Sequence, residues 1–407
     1  MGLRVDELRK DVPLLAKKKP IIYFDNACMT LRPKPVIDAI NQYYEEFPAC
    51  AGRSIHSLSQ KVDEAVYKAR NTIKKFVNAK QDKEVIFLRN TTEGINLVAN
   101  SFPFTRGDVI LVSDKEHNSN LLPWQVVAKK KGLKLDVVNS NEDNTFSLDN
   151  FREKLSTYQG RVKMVAFGST SNLDGVSIPT KAVVKAAHKA GSKVLFDAAQ
   201  TAPHHELDVR ATGADFVAFS GHKMLGPSGI GMLYGSEASL SHLNHYTVGG
   251  ETIQDTTYYE ATWEELPHRF EAGLQHYAGI IGLGAAASYL KKIGLKNIEK
   301  HEITLNKQLD EGIRSMPGAT IIGPHDATQR GGITSFNLAG MEAHDVATML
   351  SASKDIMIRS GAHCAHSWFN KHKLQGSARA SLYLYNTEEE VATCVAELKE
   401  VAKLGKR

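Results

Sequence analysis

With 407 residues, 42% of them hydrophobic and 23% charged, the chain has the profile of a folded globular protein, and it is longer than a single core usually supports. Its net charge of +5 is spread along the whole length, and the basic runs Lys17-Lys18-Lys19 and Lys129-Lys130-Lys131 carry no interleaved aromatics, which argues for solvated faces and against a nucleic-acid groove. No stretch approaches the ~20 apolar residues of a membrane span, no h-region of a signal peptide precedes Lys19, and four scattered cysteines make no disulfide framework. A cytoplasmic protein with reactive or buried thiols is therefore expected.

In chain order, an arm over residues 1–20 leads to the apolar run Ile21 to Phe24. Similar short β-rich runs follow at Val85 to Leu88, Val109 to Val112, Val162 to Phe167, Val194 to Phe196 and Phe216 to Phe219. Helical spacing of apolar residues separates some of them, at Ser59 to Val77 and at Pro179 to Ala190, where Pro179 suits a first helical turn. This alternation predicts an α/β fold, a largely parallel sheet with helices on both faces, over residues 21–268. Beyond it, long helices (Ile280 to Ile293, Ile298 to Met316), short strands near Thr320 to Ile322 and Ile333 to Leu338, and a last helix from Glu388 to Leu404 predict a smaller α+β domain over residues 269–407.

The segment Phe219-Ser220-Gly221-His222-Lys223-Met224-Leu225-Gly226-Pro227 sets a lysine between a strand and a run of glycines, beside two residues able to bind phosphate. A lysine that carries a cofactor as an imine needs such a fixed backbone and a nearby phosphate anchor; a surface lysine in a glycine-rich turn is the competing reading. Upstream, Asp197-Ala198-Ala199-Gln200 ends another strand, where ligands bind in open α/β sheets. A carboxylate there would keep a pyridine nitrogen protonated, with Gln200 in reach of a phenolic oxygen; a strand-end turn is the plainer alternative.

Asn90-Thr91-Thr92-Glu93 opens a helical stretch and offers amides and hydroxyls to a phosphate, or else is an ordinary Thr-capped helix start. His117 is a candidate to stack on an aromatic ring, or a surface histidine. Near the C-terminus, Arg359, His363 and His366 flank Cys364, so positive charge is expected to favour its thiolate. A zinc site from His363, Cys364 and His366 lacks a fourth ligand and a C-x-x-C partner.

Taken in order, Asp197 to Gln200, Ser220 to Lys223, Arg269-Phe270-Glu271-Ala272-Gly273, Arg359 to Cys364 and Arg379-Ala380-Ser381 resemble the SufS-like cysteine desulfurases and selenocysteine lyases, pyridoxal-phosphate enzymes of class V aminotransferase fold. The resemblance runs from about Phe24 to the last helix and implies fold type I, related to aspartate aminotransferase, with pyridoxal 5'-phosphate as cofactor. It further implies that Lys223 holds the cofactor, Asp197 pairs with its ring nitrogen, Gln200 meets its phenolic oxygen, His117 stacks on it, and Thr91, Thr92, Ser220 and His222 bind its phosphate.

On the same resemblance, Arg379, Asn172 and Arg359 bind the substrate, with His56 and Cys28 also at the pocket. Cys364 takes sulfur from L-cysteine as a persulfide, leaving L-alanine, and passes it to an acceptor protein for iron-sulfur cluster or other cofactor assembly. A selenocysteine lyase, aminotransferase or epimerase of the same fold is the alternative. The family's homodimer places the Phe270 to Gly273 segment at the neighbouring site. There this chain departs from the family, with Leu274 in place of a threonine that reaches the partner's phosphate and Gln275 as a substitute. An internal relay through Cys28 competes with a plain buried thiol.

Overall fold

The computed structural model describes residues 3–17, 21–52 and 54–405, so Lys18 and Lys19 of the first basic run lie outside the described residues. The second run, Lys129 to Lys131, forms the last turn of the helix Leu122–Lys131, where cations complement the carbonyl end of the helix; Lys129 and Lys130 are exposed.

In chain order the strands are β1 (Ile22–Tyr23), β2 (Val85–Leu88), β3 (Val109–Ser113), β4 (Lys134–Val138), β5 (Val162–Gly168), β6 (Lys193–Asp197), β7 (Phe216–Ser220), β8 (Gly231–Gly235), β9 (Ile253–Thr256), β10 (Ala261–Trp263), β11 (Ala319–Ile322), β12 (Ile333–Leu338), β13 (Ile356–Met357), β14 (Arg359–Gly361) and β15 (Ser377–Ser381). A seven-stranded sheet has the order β2-β8-β7-β6-β5-β3-β4. The pairs from β7 through β4 are parallel, and β8 runs antiparallel to both of its neighbours.

Alternate residues of these strands go to opposite faces, because strand side chains have a period of two. Val109, Leu111, Val165, Phe167, Val194 and Phe196 join one apolar core, while Ile110, Val112, Met164, Ala166 and Leu195 join the other. Helices cover both faces, which is why the strands read as continuous apolar runs.

A second, four-stranded antiparallel sheet has the order β11-β12-β15-β14. It packs with the helices Leu295–Arg314, Ala343–Lys354 and Glu388–Leu404 around a third core that includes Leu305, Phe336, Val346 and Leu398. The last helix starts at a capping box, Thr387 with Glu390.

Two placements differ from the sequence expectation. The run Ile21 to Phe24 does not enter the large sheet: β1 pairs in parallel with β13, and Phe24 is buried in the third core. A short apolar run shows that a strand will be buried but not which sheet receives it. The helix Tyr277–Ile293, read from sequence as part of the C-terminal unit, packs instead on Lys34–Glu46 and Ser57–Phe76 and joins the first core. Gly282 and Gly284 permit this approach, because a Cβ on either would lie 2.8 Å from Ile40 or Ala69.

Candidate active site

The parallel strands all deliver their C-terminal ends to one edge of the large sheet, and the chemistry-bearing residues sit there. Asp197 is the last residue of β6, Ser220 the last of β7, and Glu116 and His117 follow β3. Asn172 follows β5, and Thr91 opens the helix Thr91–Ser101 after β2, capped by Asn90 through the Glu93 amide. The second sheet closes this edge, bringing Arg359 on β14 and Arg379 on β15 directly opposite each other.

Of the residues singled out from the sequence, Cys28, Thr91, Thr92, His117, Asn172, Asp197, Gln200, Ser220, His222, Lys223, Arg359, Cys364 and Arg379 line one pocket. His56 is not brought there. It is exposed and caps the helix Ser57–Phe76, its Nδ1 accepting from the Ser59 amide at 3.2 Å. Its position at a helix start decides this, because the ring is spent on an amide that otherwise has no partner within the helix.

Lys223 stands in a tight loop after β7. The Gly226 amide donates to the Gly221 carbonyl at 2.8 Å, and a Cβ on Gly226 would sit 2.9 Å from that oxygen, so the loop closes only with glycine there. Burial, tempered by the Asp197 carboxylate and reinforced by Arg379, lowers the pKa of Lys223 below that of an ordinary lysine. Burial in turn raises that of Asp197, against the pull of Lys223 and of the Ala199 amide, which donates to Oδ1 at 2.9 Å. Both groups line the same pocket, and each charge favours the other's ionised form.

His117 is a neutral ring. Burial first and then Lys223 push its pKa down to about 3, and its Nδ1 accepts from the Ser119 amide at 3.0 Å, which leaves the proton on Nε2. His222 is likewise held neutral, pushed by burial and by Lys223 down to about 4. The Thr91 amide donates to Ser220 Oγ at 2.8 Å, and the two hydroxyl oxygens lie 2.6 Å apart, tying the helix start to the lysine loop. Thr92 Oγ1 donates to Ser119 Oγ at 2.9 Å.

Arg379 is 2% exposed. Its Nη1 donates to the Asn172 carbonyl at 2.8 Å and its Nη2 to Asp25 Oδ1 at 3.4 Å, while its buried Nε has no partner among the described residues. Two arginines opposed across a strand pair repel each other, so the pair calls for an anion. Asp25 supplies part of that charge; sequence reading missed it although it lies three residues before Cys28.

Cys364 sits in an unusual turn: His363 and Cys364 both have left-handed backbone, with φ of 47° and 58°. Such a pair persists only where the surroundings hold it. Here the Asn118 amide donates to the Cys364 carbonyl at 2.7 Å, and Asn172 Nδ2 to the His363 carbonyl at 2.6 Å. Asn118 was invisible to the sequence argument, because its contribution is a backbone amide.

The expected positive cluster around Cys364 needs correcting. Burial pushes the pKa of His363 down to about 2, so the ring is neutral, and its Nε2 meets Ser377 Oγ at 2.9 Å. His366 is exposed and meets Asn118 Nδ2 at 3.0 Å. The Arg359 guanidinium turns to the other thiol, donating from Nη1 to Cys28 Sγ at 3.0 Å.

Within the chain, the glutamate of the Phe270-Glu271-Ala272-Gly273 segment has a structural task. Glu271 is buried and receives both Nη1 and Nη2 of Arg70, at 2.9 and 2.8 Å, as well as the Phe87 amide at 2.7 Å, which anchors the segment to β2.

These residues suit pyridoxal phosphate. Asp197 and Lys223 offer a carboxylate and an amine in one pocket, the helix start at Thr91 and the hydroxyl of Ser220 offer a phosphate seat, and His117 offers an uncharged ring. Gln200 donates Nε2 to the Ala27 carbonyl at 2.7 Å, but its buried Oε1 has no partner among the described residues, as expected of an atom facing a ligand.

Residues 22–393 match the aminotransferase class-V family. The chain is 41% identical over 391 residues to a probable cysteine desulfurase of Synechocystis sp., covering 94% of this chain and 92% of that protein. It is 39% identical over 411 residues to a cysteine desulfurase of Klebsiella pneumoniae, covering 99% of this chain and all of that protein. The solved apo structure of cysteine desulfurase from Thermococcus onnurineus NA1 superposes with a TM-score of 0.94 at 38% identity, covering 99% of both chains. With strand order, lysine loop and pocket in place, and with matches of this extent, the chain belongs to the class-V aminotransferase family.

Proposed function

We propose that this chain is a pyridoxal-phosphate-dependent cysteine desulfurase that converts L-cysteine to L-alanine and holds the sulfur as a persulfide on Cys364. The observation that carries this reading is that Lys223, Asp197, Arg379 and Cys364 all face one pocket. The cofactor supplies an electron sink for bonds to the substrate's α-carbon and β-carbon.

The chain's own residues do the rest. Lys223 binds the cofactor and moves protons at the substrate α-carbon, for which a lowered pKa suits it. Asp197 would hold the proton on the cofactor's ring nitrogen, and His117 would pack on its ring. Thr91, Thr92, Ser220 and His222 would hold its phosphate. Arg379, with the Asn172 side, takes the substrate carboxylate. Cys364 Sγ, having given up its proton, then attacks the substrate sulfur: an S–S bond forms, the Cβ–S bond breaks, and its electron pair stays on the β-carbon, which takes a proton to become the methyl group of alanine.

The turn that carries Cys364 is short. It is pinned at the carbonyls of His363 and Cys364, and Arg379 is fixed further along the chain. Chain reach is bounded by about 3.3 to 3.6 Å per residue, so the sulfur stays in the pocket and an acceptor thiol must come to it. The expected result is rapid first formation of alanine with sulfane sulfur on the Cys364 peptide, then slow turnover that small thiols or an acceptor protein accelerate several-fold. Rapid steady turnover without any added thiol would contradict the pinned turn, and no alanine from L-cysteine would overturn the desulfurase reading itself.

The partner in solution is a second copy of this chain. Ile55, Tyr258, Tyr259 and Leu274 are large side chains 95, 100, 96 and 70% exposed, surface that a second copy would cover. The hairpin β9-β10 carries the two tyrosines, and the Gly273 amide ties the Leu274 segment to the Gly250 carbonyl at 2.7 Å. Gln275 donates to the carbonyls of Ala272 and Gly273, so its side chain braces this segment locally. Light scattering is expected to give a dimer, and Leu274→Asp to weaken it; an active monomer would end this proposal. The four cysteines are free thiols, in keeping with work in a reducing cytoplasm.

A further inference from the structure

We propose that Cys28 is a second sulfur carrier, which takes the sulfane sulfur from Cys364 within the pocket. The inference rests on the desulfurase reading and deepens it.

Cys28 and Cys364 reach the same pocket from different parts of the fold, one from the segment after β1 and the other from the turn after β14. Both sulfurs lie close enough to Lys223 to contribute to the field at its amine. The Cys28 backbone is well fixed. The Cys28 amide donates to the Asp25 carbonyl at 3.1 Å, the Ala27 amide to Ser381 Oγ at 2.9 Å, and Gln200 holds the Ala27 carbonyl. Its sulfur receives the Arg359 N–H at 3.0 Å. A guanidinium directed at sulfur is the contact that a sulfur anion needs.

Arg379 keeps its Nε unpartnered among the described residues and so available to a substrate carboxylate, while the Arg359 guanidinium is directed at the Cys28 sulfur. The remaining thiols lack such a setting. Cys50 is exposed, and Cys394 is buried in the last helix, its pKa pushed by burial up to about 12.

The transfer needs no oxidant. The persulfide on Cys364 extends its reach by one S–S bond, about 2 Å. Cys28 Sγ attacks the outer sulfur, and a bond forms between them. The bond from that sulfur to Cys364 Sγ breaks, with its electron pair staying on Cys364 Sγ, and the proton lost by Cys28 passes to Cys364. Cys364 is thereby restored as a thiol, and the new persulfide faces Arg359. One subunit then stores two sulfurs before any acceptor arrives.

The test mixes holoenzyme with a few equivalents of L-cysteine, without other thiols, and quenches the first turnovers with an alkylating reagent. Alanine is counted per subunit, and the sulfane-bearing peptides are identified by mass. The proposal expects two alanines in wild type, with sulfane sulfur on the peptides of both Cys28 and Cys364. It expects one alanine in Cys28→Ser and in Cys28→Ala, with sulfane on Cys364 only. Wild-type peptide mapping stands even where a variant folds poorly. One alanine in wild type with sulfane on Cys364 alone overturns the relay and leaves the desulfurase intact. So does a second sulfur found on Cys50 or added as a longer chain on Cys364. No alanine at all overturns both.

Discussion

Cys364→Ala is expected to lower alanine formation from L-cysteine on the order of a thousandfold or more, while addition of L-cysteine still changes the cofactor's absorbance. The two readouts separate because the groups that bind the substrate are not the group that removes its sulfur. Arg379 and Asn172 stand on β15 and after β5, and neither bonds the Cys364 side chain. The turn itself is held by hydrogen bonds to main-chain carbonyls, from Asn118 and from Asn172, and alanine carries the same Cβ into the left-handed backbone as cysteine does. Fold and substrate binding should thus survive the change. Rapid-mixing spectra together with an alanine assay check this, and wild-type turnover in the variant would remove Cys364 from the mechanism.

For Lys223→Ala, activity is expected to fall by a factor on the order of 10³ to 10⁴, the range for loss of a positioned acid-base group, and borohydride no longer fixes cofactor to the protein. In wild type the borohydride label should lie on the peptide that contains Lys223. Burial lowers the pKa of this lysine, so its neutral, imine-forming state is reached at a lower pH than for an exposed lysine. Removing it also takes away the charge that offsets the burial of Asp197, so the Asp197 pKa, already raised, should rise further. Peptide mapping after reduction and steady-state rates are the measurements; label on a different lysine would transfer the role elsewhere.

Much of this was legible in the amino-acid order because local chemistry carried it. Continuous apolar runs marked β2, β3, β5, β6 and β7. Helical spacing marked Ser57–Phe76 and Thr180–Lys189, and the motif around Lys223 needed only its glycines and its position after a strand. Those features depend on neighbours within a few residues, where steric and hydrogen-bonding rules act directly. The same locality explains the errors. His56 looked like a pocket residue, but a helix start a residue later claimed its ring. The histidines beside Cys364 looked like sources of charge, but burial holds His363 neutral.

The sequence by itself determined the sheet-building segments, the lysine and aspartate at strand ends, and the presence of two thiols among candidate site residues. Tertiary structure alone decided which thiol Arg359 serves, which amide pins Cys364, and that Arg359 and Arg379 stand opposite each other. The physical reason is that these contacts join elements far apart in the chain, and their strength comes from burial. A guanidinium, a neutral imidazole or a left-handed turn has its meaning only once the surrounding sheet and helices have excluded water from it.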